Sequence, residues 1–471
     1  LAYNEFFDFF MQIKQADSDS LQEENNYHIK ETSFYDTVRK NLPFSLTNGQ
    51  EHALNEIQSD FLKPYITQRL IQGDVGSGKT LIAFLSMLLF AENGYQSLIM
   101  PPTEVLARQH YQTFCEYISQ YQLPFSCVLL TGSITGKKRK EIYEQLRTIP
   151  NLFIVGTNAL LSDGLQYHKL GLVITDEQHR FGVHQRNILK QKGSLPFVLV
   201  MSATPIPRTL AMILYQNMLV SIIEDLPKNR LAIKNCVIKN DQRKKAIEFI
   251  LKEIKKGHQC YIICPLVEAS EMTEAENVTD YIIKIKELLP ASVSISSLHG
   301  KMSSKDKNEI MERFASNEIQ LLISTTVVEV GVNVANATVM MIENANRFGL
   351  AQLHQLRGRV GRGSAQSYCI FMDASSEKQN KRLDIMNHSN DGFYIANEDL
   401  KLRGPGDVYG IRQSGDFDFQ IGDIYQDSKL LSMASEDVNH LLAEDPSLCQ
   451  PNHKNINKHM KNIHAIAYTN L

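Results

Sequence analysis

Short apolar runs alternate with longer amphipathic segments along most of the chain. Runs of this kind predict strands, and apolar positions spaced three and four residues apart predict helices. Between residues 42 and 216, strands are predicted at 96–100, 127–130, 152–156, 170–175 and 197–201, and helices at 104–117, 137–146 and 208–216. Alternation of strand and helix over this length predicts a parallel sheet with helices on both faces.

The same alternation restarts after a looser stretch, residues 224–240, which contains Pro227. It predicts a second lobe of similar size and similar architecture. The strands predicted in this lobe are 259–264, 293–298, 321–325, 339–342 and 367–372, and the helices are 242–255, 273–289, 303–315 and 350–357. The expected fold class is therefore α/β, with two tandem parallel-sheet lobes.

Both ends of the chain depart from this alternation. The apolar positions near the N-terminus predict an amphipathic linker helix. Towards the C-terminus, a helix is predicted at 381–386, and the Gly and Pro content of residues 399–407 predicts a loop. The expected domains are 1–41, the linker helix; 42–222, lobe one; 223–380, lobe two; and 381–471, a small helical and loop module with a polar tail.

The composition limits the kinds of partner that the chain can have. Its 471 residues are 43% hydrophobic, which is ordinary for a globular protein with large cores. The net charge of −3 and pI of about 6.6 exclude a bulk basic surface, so any binding of nucleic acid requires a local patch or groove. No stretch is long and apolar enough to span a membrane, and no membrane partner is expected.

The seven cysteines are scattered and include no C-x-x-C pair. Cys260 and Cys264 lie in an apolar run and are expected on one face of a strand, as buried thiols rather than metal ligands. Free thiols suit a reducing cytosol, so a cytoplasmic protein is expected. His453, His459 and His464 of the tail match no common metal spacing and have no acidic partner nearby in the sequence.

A glycine-rich segment follows the apolar residues 70 and 71 and precedes an apolar helix predicted at 79–91. It matches the phosphate-loop pattern G-x-x-x-x-G-K-[ST]. Glycines let backbone N–H groups approach a polyphosphate, and the N-terminus of the helix favours the same anion. Lys79 can reach the terminal phosphates, and Thr80 can bind Mg²⁺. The nucleotide-binding residues expected here are Gly73, Asp74, Val75, Gly76, Ser77, Gly78, Lys79 and Thr80.

Two carboxylates stand at the end of another apolar run, residues 172–175. Ligands of open α/β sheets bind at the carboxyl ends of strands. There, Asp176 is placed to hold Mg²⁺ through water, and Glu177 is placed to orient and deprotonate the attacking water. Paired with the phosphate loop, the two carboxylates predict hydrolysis of a nucleoside triphosphate.

The set of motifs resembles that of the superfamily 2 helicases and translocases, whose lobes are RecA-like. In that resemblance, Gln50 corresponds to the glutamine that reads adenine, because its amide can donate and accept at once; ATP and Mg²⁺ are therefore the expected ligands. Short polar segments of lobe one resemble the DNA-contacting motifs. They imply DNA contact by Thr103, Thr131, Gly132 and Thr157, and coupling of hydrolysis to lobe movement by Gln178, His179, Ser202, Ala203 and Thr204.

Lobe two carries further motifs of the same superfamily. His299, Gly300 and Thr325 correspond to residues that contact the DNA strand. By the resemblance, Arg359 and Arg362 are arginine fingers that reach from lobe two to the γ-phosphate bound in lobe one. ATP then closes the cleft between the lobes, and hydrolysis opens it. The catalytic residues implied are Lys79, Asp176, Glu177, Gln355, Arg359 and Arg362.

Four segments, 176–186, 203–210, 347–362 and 399–407, narrow the resemblance to the RecG family of bacterial branched-DNA translocases. The last segment resembles the family's translocation module, a helical hairpin with a loop on the duplex, and implies DNA contact by Arg403 and Gln413. Gln178 favours this family over the related transcription–repair coupling factor, in which the pattern at the corresponding position has Glu. The implied protein is a monomeric ATP-dependent helicase of the bacterial nucleoid. Its expected partners are double-stranded and branched DNA in repair and recombination, with single-strand-binding protein as a further candidate.

The resemblance covers about residues 40 to 420. It does not include the family's N-terminal wedge domain, which we expect to be absent, and residues 1–41 resemble only the linker that follows it. The chain begins at Leu1 rather than at methionine, so whether it is a fragment stays open.

Four positions differ from the family pattern. Asn158 replaces the expected His, Asn333 the expected Asp, Ala335 the expected Pro and Asn346 the expected Glu. Asn333 keeps the shape of Asp without its charge, so we expect weaker coupling with ATP hydrolysis retained. Three alternatives stay open: a duplex translocase like the transcription–repair coupling factor, an RNA-directed or other superfamily 2 motor, and a degenerate ATP-binding scaffold on DNA.

Overall fold

A computed structural model describes residues 1–19, 23–162, 164–176, 188, 195–203, 205, 218–225, 231–265, 274–325, 334–376, 380–403, 419, 421–423 and 427–460. The chain forms two compact units. One comprises Leu1–Glu24, Ile206–Leu219 and Asn397–Leu471, and the other comprises Asn25–Pro205 and Val220–Ala396. None of the described helices has the length and apolar content needed to cross a membrane.

The helices in the described residues are α1 (Ala2–Asp19), α2 (Ser33–Lys40), α3 (Asn48–Phe61), α4 (Lys79–Glu92), α5 (Glu104–Gln120), α6 (Gly136–Thr148), α7 (Arg243–Lys255), α8 (Glu274–Leu288), α9 (Ser304–Ala315), α10 (Leu350–Arg357), α11 (Lys381–His388), α12 (Gly392–Arg403) and α13 (Ser428–Glu444). The strands are β1 (Gln68–Gly73), β2 (Gln96–Met100), β3 (Ser126–Leu130), β4 (Leu152–Gly156), β5 (Leu170–Asp176), β6 (Phe197–Ser202), β7 (Leu219–Ile223), β8 (Lys234–Lys239), β9 (Gln259–Ile263), β10 (Ile295–Leu298), β11 (Leu321–Ser324), β12 (Ala337–Ile342) and β13 (Tyr368–Asp373).

Lobe one is built on a sheet with the strand order β3-β4-β2-β5-β6-β1-β7. Each pair from β3 to β1 is parallel. The inner strands β2 and β4 are buried along their whole length, because helices cover both faces. Helix α4, which follows the phosphate loop, is buried from Leu81 to Ala91 against this sheet. Burial of the helix on all sides fixes the position of its first turn.

Lobe two contains a second sheet, with the order β10-β11-β9-β12-β13-β8 and parallel pairing throughout. Two apolar clusters cover its faces. Cys260 and Cys264 lie together in one of them, as expected for buried thiols, and burial raises the pKa of Cys264 to about 12. The predicted fold class, two tandem parallel-sheet lobes with a helical C-terminal module, is confirmed.

Three local predictions are wrong. Residues 224–240 were expected to be loose, but β8 lies in this stretch and pairs with β13 at the sheet edge. Residues 399–403 of the loop expected at 399–407 instead complete helix α12, and residues 404–407 lie outside the described residues. His453 and His459 do have acidic partners, since they contact Asp445 and Asp8. The helix predicted at 208–216 lies outside the described residues.

The N-terminal helix and the C-terminal helix α13 share one apolar cluster. Phe6, Phe10 and Met11 of α1 are buried with Leu431 and Val438. The apolar face predicted for the N-terminal segment is therefore used to pack a helix that is distant in sequence. The domain boundaries predicted from the sequence stay predictions.

We predict that Gly171→Ala lowers the thermal stability of lobe one. Gly171 is the second residue of β5, and an added Cβ would lie 2.6 and 2.7 Å from two ring carbons of buried Phe90. Overpacking of this kind typically costs about 1–3 kcal/mol, and each kcal/mol lowers the Tm of a lobe of this size by about 2–4 °C. Gly132→Ala is the control, because no atom lies within 4 Å of its added Cβ. Equal Tm values for the two variants by calorimetry would contradict the packing described.

Candidate functional site

The phosphate loop joins β1 to α4 at the carboxyl edge of the lobe-one sheet. Gly76 and Gly78 have φ angles of +82° and +87°, a conformation that is natural for glycine and strained for other residues. Lys79 begins α4, and its Nζ donates hydrogen bonds to the carbonyl oxygens of Gly73 at 2.7 Å and Asp74 at 2.8 Å. The loop therefore has the backbone that the sequence predicted for a phosphate site.

Gln50 lies against this loop. It is the third residue of α3 and forms a capping box with Thr47, in which Oε1 accepts a hydrogen bond from Thr47 N at 3.0 Å. Its Nε2 donates to the carbonyl oxygen of Ser77 at 2.8 Å, and the side chain is 3% exposed. The structure thus brings Gln50 to the phosphate loop, while its contact with adenine stays a prediction.

Strand order brings the remaining nucleotide motifs to the same edge. β6 lies between β1 and β5, with Ser202 opposite Gln72 and Met201 opposite Asp176. Ser202 and Ala203 therefore lie between the start of the phosphate loop and Asp176, which suits a coupling role. Glu177, Gln178, His179 and Thr204 lie outside the described residues.

His110 contacts the Asp176 carboxylate and was not predicted from the sequence. It lies on α5, is 5% exposed, and its Nε2 is 3.2 Å from Asp176 Oδ2. A histidine that donates to a carboxylate fixes the orientation of that carboxylate. The contact joins residues 66 positions apart, so no local pattern could have indicated it.

The oxygen-bearing side chains at this edge suit Mg²⁺ as ligands. Mg²⁺ prefers hard oxygen ligands and is usually bound by one or two carboxylates or hydroxyls together with substrate phosphates. Asp176 ends β5, and Thr80 is the second residue of α4, so a carboxylate and a hydroxyl stand at the same sheet edge. No group of three His, Cys, Asp or Glu able to hold a metal is found among the residues that the structure describes.

Lobe two reaches the phosphate loop directly. A Cβ added to Gly358 would lie 3.0 Å from Val75 Cβ, so the backbone after α10 lies against the loop. Beside this contact, His354 Nε2 is 2.6 Å from Asp74 Oδ1, and both side chains are buried. The two lobes therefore share a contact at the site where a nucleotide is expected.

The three arginines at and after the end of α10 have different surroundings. Arg357 is 2% exposed and donates hydrogen bonds to the carbonyl oxygens of Met386 and Ser389. Arg359 is also buried, whereas Arg362 and Gln355 are partly exposed. Arg359 directly follows Gly358, the residue that touches Val75, and Arg362 lies three residues further along the chain. Their contact with a γ-phosphate, and the catalytic role of Gln355, stay predictions.

The surroundings of Asp74 favour the ionised form of its carboxyl group. Burial by itself raises the pKa of a carboxyl group, but hydrogen bonds from His354 and the Val75 N–H, with the charge of Lys79, outweigh it and lower the pKa of Asp74 below its usual value. A negative carboxylate thus stands within the loop that is expected to bind a polyphosphate.

The DNA-contact candidates of lobe one lie on the other half of the same sheet edge. Thr103, Thr131 and Thr157 follow β2, β3 and β4, which are neighbours in the sheet. Gly132, beside Thr131, is exposed. The edge is therefore divided, with the nucleotide motifs after β1, β5 and β6 and the DNA candidates after β2, β3 and β4.

Glu104 links two of these loops. Its carboxylate accepts hydrogen bonds from Ser133 and, at 2.6 Å, from Arg108. Burial opposes ionisation, but these hydrogen bonds outweigh it and hold the pKa of Glu104 below its usual value. The loop after β2 is thereby tied to the loop after β3.

The DNA-contact candidates of lobe two also follow neighbouring strands. His299 and Gly300 follow β10, and Thr325 follows β11, with Thr325 N donating to the carbonyl oxygen of Leu298 at 3.2 Å. Val105 of α5 packs against an apolar cluster of lobe two, and α5 contacts α9, the helix that follows His299 and Gly300. The candidate loops of the two lobes therefore lie near each other.

Some predicted residues can be placed only in part. Arg403 is the last residue of α12, but its side chain and the whole of Gln413 lie outside the described residues. Among the positions that depart from the family pattern, Asn158 begins a short 3₁₀ turn after β4. Asn346 Oδ1 accepts a hydrogen bond from the Ala374 N–H at 3.1 Å, which gives this amide a structural role. Asn333 lies outside the described residues.

We predict that replacing His110 weakens binding of Mg²⁺ together with ATP. His110→Phe removes the donor at Asp176, and loss of such a partner typically lowers metal affinity by about tenfold or more. His110→Gln keeps a hydrogen-bond donor at a similar position, so its Mg²⁺ affinity should lie between that of His110→Phe and that of the parent. The measurement is a titration of Mg²⁺ against a fluorescent ATP analogue, with His168→Gln, an exposed histidine of the same lobe, as control. Equal Mg²⁺ affinity in the Phe variant and the parent would remove His110 from the site.

Three protein-family models match the chain in succession. The DEAD/DEAH box helicase model matches residues 47–213, and the helicase conserved C-terminal domain model matches residues 241–364. The model for domain 3, C-terminal, of the ATP-dependent DNA helicase RecG matches residues 389–469. Each model thus matches a separate part of the chain.

Curated relatives named ATP-dependent DNA helicase RecG match most of the chain. The Bacillus subtilis (strain 168) protein is 46% identical over 413 residues, which is 88% of this chain and 60% of the relative. The Synechocystis protein is 46% identical over 408 residues, which is 86% of this chain and 49% of the relative. The chain therefore spans about half to three fifths of the length of the curated relatives that it matches.

Solved structures resemble the chain as well. The structure of RecG bound to a three-way DNA junction has a TM-score of 0.75 at 37% identity, and the match covers 92% of this chain and 56% of that one. The yeast protein Dbp5 bound to RNA and ADP BeF3 has a TM-score of 0.54 at 17% identity, and so shares the fold alone. The sequence identity, the third-domain match and the two-lobed structure agree with the resemblance seen in the sequence: the chain belongs to the RecG family of ATP-dependent DNA helicases.

Proposed function

We propose that the chain hydrolyses ATP in order to move on double-stranded DNA and remodel branched DNA, such as stalled forks and Holliday junctions. One observation carries the proposal. The phosphate loop and Asp176 share a sheet edge with the DNA candidates of lobe one, and lobe two touches the phosphate loop through Gly358 and His354. A nucleotide at this loop would contact both lobes, so its hydrolysis can change how the lobes are arranged. The named RecG relatives, and the RecG structure with a three-way DNA junction, support DNA as the substrate.

The chemistry is phosphoryl transfer from ATP to water. The loop N–H groups and Lys79 hold the phosphates, and Gln50 is assigned to the adenine ring. Thr80 and Asp176 would hold Mg²⁺, which when bound neutralises charge on the phosphate oxygens. Glu177 is assigned to orient the attacking water and take its proton. Arg359 and Arg362 are assigned to the charge that develops on the transferred phosphoryl group, with Gln355 beside them.

Movement requires that the DNA contacts of the two lobes shift in turn. Thr103, Thr131, Gly132 and Thr157 are assigned to one lobe, and His299, Gly300 and Thr325 to the other. Arg403 and Gln413 are assigned to the translocation module. The contact of α5 in lobe one with α9 in lobe two supports a DNA path that runs from one lobe to the other. Ser202 and Ala203, between the phosphate loop and Asp176, are assigned to coupling, together with Gln178, His179 and Thr204.

The proposal also includes the oligomeric state, the location and one protein partner. The protein acts as a monomer at the bacterial nucleoid in the cytoplasm, and single-strand-binding protein is the expected partner where single strands are exposed.

The test is ATP hydrolysis by the chain in the presence of different nucleic acids. A three-way DNA junction should raise the rate about tenfold, which is within the usual range of coupling between two binding sites. Linear duplex should act more weakly, and single-stranded RNA should have no effect. Measurements at low salt favour the phosphate contacts on which binding depends.

Two variants serve as controls for this measurement. Lys79→Ala and Glu177→Gln should each abolish the stimulated rate, because one removes a phosphate contact and the other removes the base. Hydrolysis that is unchanged by any DNA would contradict the proposal. Equal stimulation by single-stranded RNA would favour an RNA-directed motor, and a Glu177→Gln variant as active as the parent would favour a scaffold without specific turnover.

A further inference from the structure

A chain of hydrogen bonds crosses from lobe two to the phosphate loop. Arg357 Nη2 lies 2.8 Å from His354 Nδ1, and His354 Nε2 lies 2.6 Å from Asp74 Oδ1. The same carboxylate oxygen accepts a hydrogen bond from the Val75 N–H at 2.6 Å. His354 thus stands between a fixed arginine of lobe two and an acidic residue inside the loop of lobe one.

The donors and acceptors in this chain can be assigned from chemistry alone. A guanidinium group has only donors, so His354 Nδ1 must accept from Arg357. The imidazole proton is then on Nε2 and is donated to Asp74. Arg357 is itself held by the carbonyl oxygens of Met386 and Ser389, so the imidazole has one orientation and one tautomer.

Asp74 is an unusual neighbour for a phosphate site, because its charge repels phosphate and attracts Lys79. The Asp74 main-chain carbonyl already accepts a hydrogen bond from Lys79 Nζ, and the charge of Lys79 acts on the Asp74 carboxyl group. A cavity of about 150 Å³ lies beside the pair and is lined by Asp74, His354, Ile233 and Asn390, among others. The carboxylate therefore has room to change its orientation once its histidine partner is lost.

We propose that His354 is a positioning residue of the phosphate loop, which draws the Asp74 carboxylate towards lobe two and keeps it from binding Lys79 in place of the nucleotide phosphates. A buried carboxylate that loses its partner must find another cation, since an unpaired buried charge is costly. Lys79 is the cation that shares the loop with it. Without His354, Asp74 and the nucleotide compete for the same ammonium group. The inference rests on the proposed function only in requiring that the loop binds ATP.

The test uses two replacements of His354, each of which keeps one of the two hydrogen bonds that the imidazole makes. Gln can place a donor near the position of Nε2 and so reach Asp74, whereas Asn can accept from Arg357 but is too short to reach Asp74. His354→Asn should raise the Kd for a fluorescent ATP analogue with Mg²⁺ about tenfold, as misplacement of a binding group commonly does. His354→Gln should stay close to the parent.

A second substitution separates competition for Lys79 from loss of packing. Adding Asp74→Asn to His354→Asn removes the competing charge, so the double variant should bind the ATP analogue more tightly than His354→Asn alone. If His354 only fills space, the second substitution gives no such recovery. Equal binding by the Asn variant and the parent, equal losses in the Asn and Gln variants, or no recovery in the double variant would each overturn the proposal.

Two further variants keep the test decisive. His258→Gln breaks a histidine–carboxylate contact with Glu253 elsewhere in lobe two and should bind the analogue as the parent does. Gly392→Ala adds a Cβ 2.6 Å from Pro205 Cγ, 2.7 Å from His354 Nε2 and 3.0 Å from Asp74 Oδ2, so it crowds the pair while keeping both side chains. It should weaken binding even if His354→Asn fails to fold, and parent-like binding by Gly392→Ala would overturn the proposal.

These measurements need neither DNA nor turnover. A parent chain that binds the ATP analogue but shows no stimulation by DNA would contradict the proposed function and leave the role of His354 to be judged from the binding data. The reverse pattern, with DNA stimulation intact and no effect of His354→Asn on ATP binding, would overturn the role of His354 alone.

Discussion

In lobe one, β6 forms hydrogen bonds with β1 on one side and with β5 on the other, and the nucleotide site depends on that order. All three strands run in the same direction, so the phosphate loop, Ser202 and Asp176 emerge at one edge. The strands on the other side of β5 bring Thr103, Thr131 and Thr157 to the same edge. A parallel sheet thus places nucleotide and DNA candidates side by side, although they are far apart in sequence.

The contact between the lobes brings groups of lobe two to the nucleotide site of lobe one. An arginine supplied by a second lobe can approach the γ-phosphate for hydrolysis and withdraw afterwards, so it need not hold the product as firmly as the substrate. Gly358 lets the lobe-two backbone lie against Val75, and His354 adds a hydrogen bond to Asp74. Arg359 follows Gly358 immediately, and Arg362 comes three residues later. The same few residues therefore bring the lobes together and carry the groups assigned to catalysis.

Much of the fold could be predicted from the sequence, because buried parallel strands are continuous apolar runs. The bounds of β2, β4 and α10 agree with the prediction. β8 was missed because it is an edge strand with mixed polar and apolar residues and only partial burial. The phosphate loop and Asp176 could be found because their chemistry needs a local pattern. His110 and His354 could not, since each acts on a carboxylate 66 or 280 residues away.

The central claim is that one nucleotide is held by both lobes, and a structure of the chain with Mg²⁺, a γ-phosphate mimic of ATP and branched DNA tests it most directly. The account predicts the phosphates on the loop of residues 73–80, with guanidinium nitrogens of Arg359 and Arg362 about 3 Å from the γ-phosphate mimic. It also predicts that His354 still contacts Asp74. Arginines that point away from the mimic, with the nucleotide contacting lobe one alone, would contradict it.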